Sequence, residues 1–184
     1  MLRRKRHEPA ATDEALTRAP DYAEPLIAWR LWEVEDLHRA PRLRSLYRMC
    51  FWPVGAPLAA RCNVRGLRLW RAPHQAPVAE CRCGIYAVPF EFVSTLAFDE
   101  ILGPPRRTVA VGAVSVWGDV VECEHGLRAA YAYPERLFVP SACGNAKQTV
   151  VGLEDYGVPV ELVDAPTMTA ALEVISEQVV GRAA

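Results

Sequence analysis

Four residues with metal-binding side chains, Cys62, His74, Cys81 and Cys83, fall in and just after a long internal stretch of this sequence that has no regular hydrophobic period. From Phe51 to Ala79 the chain is punctuated by Pro53, Gly55, Pro57, Gly66, Pro73 and Pro77. Each of these breaks or restricts regular backbone structure. So long an irregular stretch is uncommon in a compact domain unless something other than backbone pairing orders it. Three cysteines and a histidine can do that, because thiolates and imidazole match zinc in a tetrahedral shell. The spacings between Cys62, His74 and Cys81 are long enough to close around one ion. Gly84 then lets the backbone turn away after Cys83. The expectation is a single structural zinc site with Cys62, His74, Cys81 and Cys83 as ligands, supplying folding free energy where apolar density is low. Cys123 or His125 is the replacement should Cys62 lie elsewhere. A Cys81–Cys83 disulfide is disfavoured, because the strand-like local backbone does not put the two side chains in disulfide geometry.

Reading cysteines as ligands presumes a reducing compartment. The basic start, Met1 to His7, runs into Glu8-Pro9-Ala10-Ala11-Thr12-Asp13-Glu14 rather than into an apolar segment, so no secretory signal is expected. No run approaches the roughly 18–20 apolar residues that cross a bilayer. A cytoplasmic protein with no membrane partner is therefore expected. Cys50 and Cys143 lack a patterned partner and read as small packed hydrophobes. A chain of 184 residues, 51% hydrophobic and 23% charged, can bury one continuous core. Residues 1–23 carry charge, Pro and Ala without periodicity and read as a disordered arm. Residues 24–184 read as one globular domain, with a β-rich part over 24–140 and an acidic αβα part over 141–184.

Leu26–Val34, with Trp29 and Trp32, suits a strand, and Leu43–Met49 a hairpin partner across a turn near Asp36–Pro41. Gly84–Val88 reads as a strand leaving the Cys-x-Cys turn. Phe92–Leu102 reads as a short amphipathic helix stopped by Gly103-Pro104-Pro105. Thr108–Trp117, Val120–Glu124 and Leu127–Tyr133, separated by Gly118-Asp119 and His125-Gly126, read as a three-stranded meander. A short helix over Thr149–Tyr156, an edge strand over Val158–Val163 and a last helix from Met168 to Val180 follow. That last helix should be capped by Asp164 or Thr167 and carry an apolar face of Met168, Leu172, Ile175 and Val179.

Charge is divided along the chain. Leu37–Ala79 contains no Asp or Glu but holds Arg39, Arg42, Arg44, Arg48, Arg61, Arg65, Arg68 and Arg71, with Trp70 and other aromatics among them. The C-terminal part is acidic, and the net charge of −1 conceals the division. Arginines interleaved with rings suit a polyanion, since guanidinium groups neutralise phosphates and rings stack on bases. Against nucleic acid stand the sequence pI of about 6.4 and a lysine-poor, arginine-rich usage that resembles high-GC codon bias. The basic stretch can also meet the acidic one, within the chain or in a partner. Glu122 and Glu124 share one strand face and Cys123 and His125 the other, which reads as a solvated edge opposite Arg128 or Arg136. The motifs of nucleotide-binding loops, dinucleotide folds, zinc peptidases and serine hydrolases are absent.

Trp29-Arg30-Leu31-Trp32, His74-x-Ala76-Pro77, Cys81-x-Cys83-Gly84-Ile85-Tyr86-Ala87, Trp117-Gly118-Asp119-Val120-Val121-Glu122, Gly126-x-Arg128-Ala129 and Tyr133-Pro134 occur in this order. The combination resembles a family of small actinobacterial proteins, over about Ala28–Pro140. No activity is attached to that family, so the resemblance implies no mechanism. It does imply that the Cys/His segment and the meander belong to one domain. Cys123 stands where a histidine is expected in such proteins, which argues against a dedicated catalytic thiol there.

The fold expected is α+β, a curved or barrel-like antiparallel sheet with a metal-ordered loop and a C-terminal helix. The function expected is a non-catalytic, zinc-stabilised binding or adaptor module. Arg39, Arg42, Arg44, Arg48, Arg65, Arg68, Arg71 and Trp70 would face an acidic partner, protein or nucleic acid. The alternative is a small metal- or thiol-dependent enzyme that uses the Cys/His cluster with Glu122 or Glu124.

Overall fold

Alternation along Leu26–Val34 sends Ala28, Trp32 and Val34 to one side of a strand and Trp29 and Leu31 to the other. Both sets are buried, in two separate apolar clusters, so this strand lies between two layers. A computed structural model describes residues 21–46, 50–62, 74–95 and 107–183. In it β1, Asp21–Leu37, turns at His38 and Arg39 into β2, Ala40–Ser45, with Leu37 opposite Ala40 and Trp32 opposite Ser45. Both turn residues have positive φ, 54° and 68°, as a two-residue hairpin turn matched to strand twist requires. This is the hairpin expected from the sequence. The strand reaches back to Asp21, inside the stretch read as an arm. Residues 1–20 lie outside the described residues.

The remaining elements are β3 (Leu58–Ala59), β4 (Ile85–Ala87), a 3-10 turn over Phe90–Thr95, β5 (Val109–Cys123) and β6 (Gly126–Pro140). Then come α1 (Ala146–Leu153), running on as a 3-10 turn over Glu154–Tyr156, β7 (Val160–Val163) and α2 (Met168–Ala183). The sheet has seven strands in the order β2-β1-β5-β6-β3, with β4 and β7 also pairing with β6.

Three expectations need correction. The sheet is mixed, not antiparallel, because β7 runs parallel to β6. The physical reason is α1. It carries the chain from the end of β6 back to the start of β7, and a parallel neighbour requires such a crossover. Nor is the sheet closed into a barrel: β2 lies at one edge, and β3, β4 and β7 share the other. Finally, the expected three-stranded meander is one long hairpin, β5–β6, turning at Glu124-His125. Gly118-Asp119 is a bulge rather than a turn. Trp117 faces Tyr131 and Val120 faces Ala129, while on the other side Gly118 and Asp119 stay paired with Tyr22 and Asp21. Of the helix expected over Phe92–Leu102, the described part is the 3-10 turn, and residues 96–102 lie outside the described residues.

One face of the sheet buries Trp32, Leu43, Trp52, Val114, Val116, Val120 and Ala129 under α1 and Tyr156. The other buries Trp29, Leu31, Val111 and Phe138 under α2. The apolar face expected for α2 is present, with Leu172 and Ile175 buried and Met168 and Val179 packed beside them. Thr167 is its cap, accepting from the Ala170 N–H at 3.2 Å. Asp164 instead accepts from the Ser141 hydroxyl at 2.9 Å.

Tyr156, 2% exposed, ties the first layer together. Its hydroxyl accepts from the Leu43 N–H at 3.1 Å and donates to the Trp52 carbonyl at 2.9 Å. Its own carbonyl accepts from the Tyr133 hydroxyl at 2.8 Å. Tyr156→Phe removes the hydroxyl and strands a buried donor and a buried acceptor. A loss of about 1–3 kcal/mol is expected in denaturant unfolding. An unchanged midpoint would show that the strap contributes nothing.

Candidate metal centre

β3 and β4 lie end to end along the outer edge of β6. Leu58 and Ala59 face Ala132 and Tyr131, and the Ala60 N–H donates to the Ala130 carbonyl at 2.7 Å. Ile85 then faces Ala129 and Ala87 faces Leu127. The chain therefore leaves the β6 edge after Ala60 and rejoins it at Ile85, one pairing position further on. Residues 61–84 form an excursion with both ends pinned to one strand. Cys62 stands where it leaves, and Cys81 and Cys83 stand where it returns.

The Cys62, Cys81 and Cys83 sulfurs and a His74 ring nitrogen all lie within 4.8 Å of one another. Cys62 Sγ is 3.7 Å from Cys81 Sγ, and His74 Nε2 is 3.3 Å from Cys83 Sγ. Zinc–sulfur bonds of about 2.3 Å place neighbouring sulfurs of a tetrahedron about 3.8 Å apart, and sulfur and nitrogen about 3.6 Å apart. The cluster could hold a metal ion, in the four residues expected. All four cysteine and histidine side chains are buried or half-buried, and the cysteines are free thiols.

Electrostatics in the cluster point the same way. Burial pushes the Cys81 thiol up, but hydrogen bonds from the Cys83 backbone and from the Cys83, Cys62 and His74 side chains outweigh it and bring Cys81 down to about 7. Cys83 is pushed up to about 11, first by burial and then by the Cys81 side chain and the charges of Cys81 and Cys62, against one backbone hydrogen bond.

The Cys81 N–H closes a turn onto the Val78 carbonyl at 3.1 Å. Gly84, at φ +120°, takes the chain out of that turn into β4. A Cβ there would sit 2.8 Å from Arg128 Cβ and 3.1 Å from Pro77 Cβ, so both backbone conformation and space demand glycine.

Arg128 is the residue that the sequence reading misplaced. Rather than facing Glu122 or Glu124 at a wet edge, it is 6% exposed and lies under the 78–83 turn. Its Nη1 donates to the carbonyls of Cys81, Cys83 (3.0 Å) and Val78 (3.3 Å). Nη2 reaches the Ala79 carbonyl at 3.4 Å, and Nε the Cys123 sulfur at 3.4 Å. Its guanidinium carbon lies 5.9 Å from the Tyr86 ring centroid. The available signal was a lone arginine among the apolar residues of the strand read over Leu127–Tyr133. Cys123 is exposed and His125 stands in the hairpin turn against the Phe92 ring, so neither joins the ligand cluster. Cys50 and Cys143 are half-buried.

The arginines of the basic stretch differ in their surroundings. Arg42 pairs with Asp155 at 3.1 Å, which joins β2 to the acidic C-terminal part. Arg44 pairs with Glu33 and, at 2.9 Å, with Glu35. Those two charges are matched inside the chain. Arg39 and Arg61 are exposed. Arg48, Arg65, Arg68, Trp70 and Arg71 lie outside the described residues. Arg136 pairs with Glu161 at 3.5 Å, not with the Glu122 edge. Among the described residues no helix is long and apolar enough to cross a membrane. Comparison with protein-family models, with curated proteins and with solved structures finds no match, so the likeness to small actinobacterial proteins rests on its quoted motifs alone.

Proposed function

We propose that the chain is a non-catalytic binding module in which zinc, held by Cys62, His74, Cys81 and Cys83, clips the base of the 61–84 excursion. The observation that carries this reading is the set of four donor atoms within 4.8 Å, with the Cys62–Cys81 edge at tetrahedral length and the His74–Cys83 edge about 0.3 Å shorter than that geometry. Four protein donors complete a zinc shell, which is the arrangement of structural rather than catalytic sites. An enzyme using Glu122 or Glu124 would need an open coordination position, and this donor set offers none. The clipped excursion carries Arg65, Arg68, Trp70 and Arg71 between two of its ligands and has no acidic residue from Arg61 to Ala79. Fixing its ends lowers the ordering cost of binding an acidic partner, protein or nucleic acid.

Protein purified without chelators is expected to contain about one zinc per chain. Cobalt substituted for it should give thiolate-to-metal charge-transfer absorption. Protein that contains no metal and takes up neither ion would remove the reading. For the partner, affinity for random DNA or RNA should fall steeply with salt if arginines contact phosphates. A flat salt response would leave an acidic protein surface as the target.

A further inference from the structure

We propose that Arg128 is the counter-charge of the metal centre, a positioning residue without which the site holds its metal poorly. The inference rests on the zinc reading above and deepens it. Burying a guanidinium is costly unless its donors are satisfied and a negative charge lies near. Arg128 satisfies the first condition with four carbonyls and a thiol. Those partners are neutral or weak acids, and among the described residues no carboxylate forms an ion pair with it. The anion that fits is the metal complex itself. Three thiolates and a neutral imidazole around a doubly charged ion leave one net negative charge. Two of the four carbonyls that Arg128 grips belong to ligand residues Cys81 and Cys83, so the cation stands directly behind those ligands.

Two consequences follow from one side chain. The guanidinium fixes the 78–83 turn in the shape that aims Cys81 and Cys83 at a common point. It also offsets the net negative charge of the loaded site, which favours the metal-bound form over the empty one. The second effect depends on charge, which a merely structural role does not. Partners of this kind behind metal ligands typically change affinity by ~10–100-fold.

The experiment compares full-length wild type, Arg128→Gln, Arg128→Lys and Cys81→Ser. Zinc affinity is read by competition with a chromophoric chelator, and the pH of half-release by titrating loaded protein with acid. Arg128→Gln is expected to lose ~10–100-fold in zinc affinity and to release zinc at a higher pH than wild type. Arg128→Lys keeps the charge and is expected to keep the wild-type release pH, with a smaller loss of affinity. If Arg128→Gln matches wild type in both readouts while Cys81→Ser loses the metal, the counter-charge falls and the zinc site stands. If wild type takes up no zinc, both fall. An Arg128→Lys release pH raised as far as that of Arg128→Gln also overturns the proposal. Should Arg128→Gln not fold, the lysine variant decides alone: an unmoved release pH supports the counter-charge and a raised one refutes it.

Discussion

With the proposed zinc bound at Cys62, His74, Cys81 and Cys83, chelation at neutral pH is expected to open residues 61–84 to protease while the seven-stranded sheet stays folded. The two parts differ in what holds them. The sheet is sandwiched between apolar clusters that contain Trp29, Leu31, Trp32, Trp52 and Phe138. Among the described residues the excursion has a small cluster of its own, Ala76, Cys81 and Cys83 with Ala60, Cys62 and Val78 packed beside them. Ordering a backbone costs about 1–2 kcal/mol per residue, and a buried methylene returns only about 0.8 kcal/mol. So few small side chains cannot balance that cost over the described part of the excursion, whereas structural zinc contributes on the order of 10 kcal/mol in small peptides. Losing even about 3 kcal/mol of local stability raises the open fraction, and with it the cleavage rate, ~100-fold.

Cys83→Ala should reproduce the effect without chelator. Acid should as well, and the sign is fixed by chemistry. Zinc needs the thiolates, protons compete for them, and so stability drawn from the metal is lost as pH falls and regained as it rises. The measurement is limited proteolysis with fragment masses, beside far-ultraviolet circular dichroism. Cuts confined to 61–84 with an unchanged spectrum are the expected result. An identical cleavage pattern with and without chelator would show that the excursion is ordered by something else, and global unfolding would show that the sheet depends on the metal.

The clustering of Cys62, His74, Cys81 and Cys83 was legible in the sequence because its chemistry is local to each residue type. Cys and His are scarce, zinc selects them, and the Pro and Gly between them left metal as the ordering device. The β1–β2 hairpin and the apolar face of α2 were legible for a similar reason, since each rests on a short-range period. What misled was long-range. Gly118-Asp119 carries the local signature of a turn, yet β1 pairs with both residues and holds the chain straight through them. Nothing near Val158–Val163 states that β7 enters parallel to β6; the direction is set by α1 packing across the sheet. Arg128 was read as an edge residue because its partners, at Val78 to Cys83, come from a distant part of the chain. Arg42 and Arg44 likewise looked available until Asp155, Glu33 and Glu35 were placed beside them. The charge division along the chain is thus matched partly inside it.

Trp32→Ala is expected to cost about 3–5 kcal/mol, a large share of the roughly 5–15 kcal/mol that keeps a domain folded. Trp32 is fully buried and meets Trp52 edge to face, with ring centroids 5.3 Å apart. Truncation leaves a cavity bounded by β1, β2 and β5, whose ladders cannot move inward without breaking their registers. Trp32→Phe should behave differently. The Trp32 indole N–H is buried and has no hydrogen-bond partner among the described residues, so the native ring already carries the cost of a desolvated donor. Phenylalanine removes that cost while losing part of the ring volume, and a net loss of about 1–2 kcal/mol is expected. Trp52 is the control, because its Nε1 donates to the Ser45 hydroxyl at 3.1 Å. There Trp→Phe forfeits a made hydrogen bond along with the volume, so Trp52→Phe should be the costlier of the two. Guanidinium unfolding midpoints measure all three. A Trp32→Phe loss as large as that of Trp32→Ala would mean that the indole is held by its N–H rather than by its shape, and the core would then have to be read as polar at its centre.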